Sequence, residues 1–134
     1  MKTLALDLGD KHIGIAISDD LELFANPYKT VDASKLEEEL KKIFGDEEIE
    51  TVVIGYPKTM RNTKSEQTLK VENSKIELET TFPNKKWILW DERLTSKSAQ
   101  NLKKIQNRED KLKIHAIAAA IILSSYLEGK RFNY

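Results

Sequence analysis

Residues 3–18, TLALDLGDKHIGIAIS, form two alternating runs on either side of a short turn, Gly9-Asp10-Lys11. Every second position is bulky and aliphatic: Leu4, Leu6, Leu8, Ile13, Ile15 and Ile17. The positions between them are small or polar, and they include Asp7, Gly14 and Ala16. Because side chains alternate between the two faces of a strand, the pattern predicts a β-hairpin with one bulky face and one small-residue face.

Strands and helices alternate along the rest of the chain. Further strands are predicted at about 24–31, 51–55 and 86–90. Helices are predicted from a capping box at 34–37 to Gly45, from a second capping box at 63–66 to about residue 80, at about 95–105, and at about 109–127. This order predicts an α/β fold of the ribonuclease H-like kind: a mixed five-stranded sheet, an antiparallel hairpin meander plus parallel strands, with helices on both faces. No repeat or linker divides residues 1–134, so a single domain is expected.

Composition excludes several classes of protein. The 134 residues include no cysteine and only two histidines, which excludes disulfide frameworks, thiolate metal sites, thiol nucleophiles and multi-histidine metal cages. The most apolar run, residues 114–123, is half the length of a membrane span, and the first ten residues do not form a signal peptide. A cytoplasmic protein without a membrane partner is therefore expected.

The net charge is zero, with 22 basic and 22 acidic side chains, but the charges are segregated. Residues 19–50 carry eleven acids and four lysines, a balance of −7. Residues 56–75 have a balance of +3, and residues 93–108 have five bases and no acid. If the basic segments converge, they form an electrostatic footprint for phosphates; otherwise they are an unevenly charged, solvated surface.

Asp7 is the first candidate for chemistry. It lies near the end of the first strand on the small-residue face, where Gly14 and Ala16 are expected to leave open space above the sheet. A carboxylate beside such a space suits Mg²⁺ or Mn²⁺ shared with a phosphate. The alternative is an ordinary aspartate that caps the turn at Gly9.

Asp91 and Glu92 directly follow an apolar strand and precede Arg93 and Thr95. Their alternative is a polar strand end that leads into a helix cap. His115 stands alone in an apolar helix, so it is either a core histidine or, if that helix packs over Asp7, a metal ligand or general base.

The loop that follows Gly55 and Pro57 contains Lys58, Arg61 and Asn62 ahead of a helix N-terminus. Such a loop favours anions, although an ordinary strand-to-helix connection is the alternative.

Four segments together resemble the YqgF/RuvX family of ribonuclease H-like proteins, described as Holliday junction resolvases or pre-16S rRNA processing nucleases. They are the hairpin at 7–19, the Gly-Tyr-Pro segment at 55–57 with its loop to Gln67, the DERLT motif at 91–95 and the closing helix at 114–127. The resemblance covers essentially the whole chain.

The residues and the resemblance together assign the candidate site. Catalysis is assigned to Asp7, Glu92 and His115, with Asp91 as a further metal ligand and Mg²⁺ or Mn²⁺ as the cofactor. Nucleic-acid contacts are assigned to Lys11, His12, Lys58, Arg61, Asn62, Arg93, Thr95 and Lys97. Structural roles are assigned to Gly9, Gly14, Gly55 and Pro57.

Two residues depart from the family pattern. His115 stands where the family has an Asp, so one negative charge of the metal site is lost and the preference shifts towards Mn²⁺. His12 stands where the family often has Arg, which removes one expected phosphate contact.

The resemblance implies a metal-dependent endonuclease that acts on structured nucleic acid, with processing of the 5′ end of precursor 16S rRNA as the leading hypothesis. A Holliday junction resolvase acting on branched DNA and a weakly active or inactive binding module are the alternatives. A sugar-kinase-like phosphotransferase would need a second such domain. Both a monomer and a homodimer are compatible with the sequence.

Overall fold

The computed structural model describes residues 1–57, 66–91 and 111–132. The strands are β1 (Lys2–Leu8), β2 (His12–Ser18), β3 (Ala25–Asp32), β4 (Ile49–Tyr56) and β5 (Lys86–Asp91). The helices are α1 (Leu36–Asp46), α2 (Glu66–Thr81) and α3 (Lys111–Phe132), and a short 3₁₀ turn, Ala33–Lys35, precedes α1.

The five strands form one mixed sheet in the order β3-β2-β1-β4-β5. The β1–β2 and β2–β3 pairs are antiparallel, whereas β1–β4 and β4–β5 are parallel. This confirms the predicted meander plus parallel strands. Strands β1, β4 and β5 therefore end at the same side of the sheet, where β2 begins, and we call this side the carboxyl edge.

The register confirms the two-faced hairpin. Leu6 pairs with Ile15 and Asp7 pairs with Gly14, so bulky residues share one face and small or polar residues share the other. The bulky face packs against α1 and α2, with Leu40, Ile43 and Val71 almost completely buried in that core. Burial of this aliphatic surface is the main source of stability for this layer.

Helix α3 covers the small-residue face. Ala5 and Ala16 of the hairpin and Ala119 and Ala120 of the helix are fully buried in one cluster together with Leu123. Small side chains on both partners let the helix lie close to the sheet. The prediction of open space above Gly14 and Ala16 is therefore wrong, because the backbone of α3 fills it.

The start of α1 differs from the predicted capping box. The helix begins at Leu36 without a side-chain cap, and the Ser34 hydroxyl instead donates to Oδ1 of Asp32 at 3.3 Å. The helix also continues through Gly45 and ends at Asp46. The 3₁₀ turn takes up the residues that the capping box would have used.

The last helix extends five residues beyond its predicted end near 127, to Phe132. Ion pairing of Lys130 with Glu22, at 3.0 Å, ties this end to the β2–β3 loop. The helix predicted at about 95–105 and the capping residues at 63–65 lie outside the described residues. None of the helices in the described part of the chain is long and apolar enough to cross a membrane.

Candidate active site

Asp7 lies at the carboxyl edge on the face covered by α3. Its side chain is half-buried, and among the described residues its environment is defined by burial and by the nearby His115 rather than by a hydrogen bond. Burial raises the pKa of Asp7 above its ordinary value, and the nearby His115 opposes that rise. The carboxylate is thus held partly out of water with little compensation, which is the state that binding of a cation would relieve.

Gly14 sets the distance between the sheet and α3. A Cβ built on Gly14 would lie 1.7 Å from the carbonyl oxygen of His115 and 2.9 Å from the backbone nitrogen of Ala116. Only a glycine leaves room for the helix here. Because Gly14 pairs with Asp7 in the sheet, this close approach also places His115 beside the Asp7 carboxylate.

His115 is flanked by a second histidine. The rings of His12 and His115 are stacked, with centroids 5.5 Å apart and planes inclined by 26°. His12 is exposed at the start of β2, and His115 is half-buried under it. The sequence did not indicate this pair, because the two histidines are 103 positions apart.

The turn that joins β1 and β2 is anchored from several sides. The backbone nitrogen of Gly9 donates to the carbonyl of His12 at 3.1 Å, and a Cβ on Gly9 would lie 2.5 Å from that oxygen. Gln67 of α2 donates its amide to the carbonyl of Leu8 at 3.2 Å, and Lys70 pairs with Asp10 at 3.2 Å. Lys11 remains exposed at the tip of this turn.

Asp91 ends β5 at the same edge but on the other face. Along β5, Ile88 and Trp90 pack with α3 while Trp87 and Leu89 pack with α1 and α2. This alternation puts Asp91, which pairs with Tyr56, on the face away from Asp7. The structure therefore does not bring Asp91 and Asp7 together.

Gly55 is buried in β4, and Pro57 is the last described residue before the loop. Several other assigned residues lie outside the described part of the chain: Lys58, Arg61, Asn62, Glu92, Arg93, Thr95 and Lys97. Within residues 1–57, 66–91 and 111–132, no three histidine, aspartate or glutamate side chains form a group that could hold a metal. Asp7 supplies an oxygen donor that suits Mg²⁺ or Mn²⁺, His115 supplies a nitrogen donor that suits Mn²⁺ better than Mg²⁺, and a further ligand is required.

Two structural features near this edge were not found from the sequence. Gln67 anchors the turn, and its position one residue after the start of α2 was the available signal. Thr30 pairs with Gly14, and its buried hydroxyl has no hydrogen-bond partner among the described residues. Nothing in the sequence distinguishes Thr30 from other strand threonines.

The arrangement of strands and helices is similar to two solved structures of RuvC from Thermus thermophilus. One, in complex with a Holliday junction substrate, has a TM-score of 0.64 at 12% identity and covers 98% of this chain and 96% of that chain. The other has a TM-score of 0.62 at 13% identity, covering 99% and 97% of the two chains. The fold is therefore ribonuclease H-like, as the sequence predicted.

The family described as "RuvX: Holliday junction resolvase" matches residues 1–129. A relative from Carboxydothermus hydrogenoformans, named "Putative pre-16S rRNA nuclease", is 40% identical over 99% of this chain and 100% of its own length. A relative of the same name from Flavobacterium johnsoniae is 36% identical over 98% and 99% of the two chains. The chain belongs to this RuvX (YqgF) family of nucleases, which confirms the resemblance drawn from its motifs.

Proposed function

We propose that this protein is a metal-dependent endonuclease that hydrolyses phosphodiester bonds in structured nucleic acid, acting at the 5′ end of precursor 16S rRNA. The observation that carries the proposal is the partly buried Asp7 carboxylate beside His115 at the carboxyl edge. Family membership and relatives named for pre-16S rRNA cleavage support the reaction and the substrate. The proposal places the enzyme in the cytoplasm with its rRNA substrate.

In this proposal Asp7, Glu92 and His115 would hold divalent cations, whereas Asp91, on the other face of the sheet, is not part of the ligand set. A pair of ions held by these residues would activate the attacking oxygen and stabilise the leaving oxygen in phosphodiester cleavage. Asp7 provides a negative charge that solvent screens poorly, because the carboxylate is partly buried. His115 provides a donor that adds no negative charge, so it repels an approaching phosphate less than the family's Asp would.

In addition to the metal site, cleavage requires a surface that binds the phosphates on both sides of the cleaved bond. Lys11 and His12 lie exposed at the carboxyl edge, next to Asp7 in the fold. The proposal adds the basic and polar side chains of the two loops at this edge: Lys58, Arg61, Asn62, Arg93, Thr95 and Lys97. Since the protein as a whole is neutral, we expect binding that is weak and sensitive to salt.

A cleavage assay tests the reaction and the site together. A precursor 16S rRNA fragment and a four-way DNA junction are each incubated with the protein in Mn²⁺, in Mg²⁺ and in a chelator. We expect cleavage of the rRNA in Mn²⁺ that is lost in Asp7→Asn, while Asp46→Asn, an exposed carboxylate at the end of α1, retains it. Metal-dependent cleavage that is undiminished in Asp7→Asn would refute the site, and preferential cleavage of the junction would refute the substrate.

A binding module without catalytic activity is the second candidate function. It is favoured by one feature of the chain, His115, because the family pattern that the closing helix resembles implies an acid at that position. The variant His115→Asp separates the two functions. If the wild type binds rRNA without cutting it and His115→Asp gains cleavage, the protein is a binding module; a fully active wild type excludes that function. Sedimentation with and without substrate distinguishes a monomer from a homodimer.

A further inference from the structure

A cleft of about 630 Å³ opens on the face of the sheet away from His115, between α1 and α2. We call it the α1–α2 cleft; its floor is apolar and includes Ile13, Leu36, Val71 and Leu78. Its volume lies within the range of about 300–1,000 Å³ that is typical of small-ligand sites. Asp7 and His115, the proposed catalytic residues that the structure describes, do not line it.

The α1–α2 cleft is continuous with the carboxyl edge. Leu8, Gly9 and Asp10 line it, and Leu8 directly follows Asp7 in β1. The side chains of Asp7 and Leu8 point to opposite faces, so the β1–β2 turn separates the proposed cleavage site from the mouth of the cleft. The proposed cleavage site and the mouth of the cleft therefore lie on either side of the same turn.

The charges at the rim select against a phosphate. Among the described residues that line the cleft, Asp10, Glu37 and Glu77 carry carboxylates, and Lys70 is the one cation and is paired with Asp10. A phosphate group would meet a net negative rim. An occupant that is uncharged and donates hydrogen bonds would meet complementary acceptors instead.

The polar groups of α2 fit the edge of a nucleobase. Asn73 and Ser74 line the cleft beside Glu77, and the Gln67 amide group, which donates to Leu8, keeps its carbonyl oxygen as an acceptor. Amide and carboxylate side chains read the amino and ring-nitrogen groups of bases, and apolar surfaces pack against their flat faces. Adenine, cytosine and guanine carry an exocyclic amino donor, but uracil and thymine do not.

We propose that the α1–α2 cleft receives an unstacked nucleobase with an exocyclic amino group, from the nucleotide next to the cleaved phosphate. The inference rests on the proposed function, because it places the cleaved bond at Asp7. Unstacked bases held in this way are the usual means by which proteins read RNA sequence. The cleft would thus select the base beside the cleavage position.

Equilibrium binding of short RNA strands tests the proposal without requiring cleavage. Oligomers of A, C and U of equal length are titrated onto the wild-type protein, with a chelator present and at one fixed salt concentration, because phosphate contacts vary with salt. We expect A and C strands to bind roughly tenfold more tightly than U strands, the discrimination that a good pair of base contacts supplies. Equal affinity for all three strands, or no binding of any strand, overturns the proposal.

Two carboxylate variants distinguish a direct contact from general electrostatics. Glu77→Gln removes a charge from the rim of the cleft, and Glu38→Gln removes one from an α1 side chain that is 80% exposed and does not line the cleft. General electrostatics predicts that both variants bind every strand slightly more tightly. The proposal predicts that Glu77→Gln weakens A and C binding about fivefold and leaves U binding unreduced. Matching changes in both variants refute it.

A third variant tests occupancy of the cleft itself. Ser74→Phe places a ring between α1 and α2, and it is expected to abolish the preference for A and C while the far-UV circular dichroism stays that of the wild type. A retained preference in a folded Ser74→Phe protein overturns the proposal. The proposed function is tested separately by the dependence of cleavage on Asp7. Loss of the base preference would leave that dependence unchanged, and cleavage by Asp7→Asn would leave the base preference unchanged.

Discussion

Replacement of Gly14 by alanine is the most direct perturbation of the contact that builds the site. The added Cβ would lie 1.7 Å from the His115 carbonyl oxygen, whereas contacts of Cβ atoms under 3.0 Å are essentially never seen. The helix or the strand must therefore move by at least 1.3 Å, the difference between these two distances. Both atoms in the clash are held by backbone, so neither a rotamer change nor a flexible side-chain end can relieve it.

Overpacking of a core usually destabilises a protein by about 1–3 kcal/mol. We expect Gly14→Ala to reach the upper end, about 3 kcal/mol, because α3 cannot retreat without opening the buried cluster that includes Ala16 and Ala120. For a chain of this length, 1 kcal/mol corresponds to roughly 3–4 °C, so Tm should fall by about 10 °C. Thermal and urea unfolding followed by circular dichroism measure both quantities.

Gly45→Ala is the matched control. Gly45 lies within α1, and a Cβ added there meets nothing within 4 Å. Alanine is the better helix former, so this variant should be about 0.5–1 kcal/mol more stable than the wild type. The close approach of α3 to β2 is refuted if the free energy of unfolding of Gly14→Ala lies within about 1 kcal/mol of the wild-type value. Typical surface substitutions change this free energy by less than that amount.

Three further outcomes follow from the same packing. Asp7→Asn should raise the free energy of unfolding at pH 7 in the presence of a chelator. Because burial raises the pKa of Asp7 in the folded state, the wild type loses stability as the pH rises from the ordinary pKa of 3.8 through the raised pKa. This gain in stability should vanish well below pH 3.8, and equal urea midpoints for Asp7→Asn and the wild type at pH 7 would contradict the prediction. Leu123→Ala should lower the free energy of unfolding by about 2–5 kcal/mol in urea, because Leu123 is fully buried between α3 and the sheet. Lys130→Ala should lower the free energy of unfolding by less than about 1 kcal/mol, because the lysine of the pair with Glu22 is exposed to solvent. A larger loss would show that this pair, rather than apolar packing, holds the end of α3.

Most of the sheet could be predicted because strand alternation is a local signal. The pattern of residues 3–18 specifies which side chains share a face, and the register of Asp7 with Gly14 agrees with it. The start of α1 could not be predicted in the same way. The capping signal at Ser34 competes with the preceding Asp32, which accepts the serine hydroxyl, and the chain makes a 3₁₀ turn instead.

Only part of the candidate site could be predicted from local sequence patterns. Asp7 and His115 were identified individually, by residue type and by their place in a strand and a helix. Asp91 was grouped with them because it follows a strand at the carboxyl edge, yet alternation along β5 directs it to the other face. The stacking of His12 on His115 depends on how α3 packs over β2, and no local pattern encodes that.

The sequence by itself determined the order of the strands and helices, the two faces of the hairpin and the residue types available for chemistry, because each of these depends on near neighbours in the chain. The tertiary structure alone decided what lies above the small-residue face. Glycine and alanine there are compatible with an open space and with a closely packed helix, and only the apolar surface of α3, brought from the far end of the chain, decides between them. That packing partly buries Asp7 and places His115 beside it, on the face of the sheet opposite to the α1–α2 cleft.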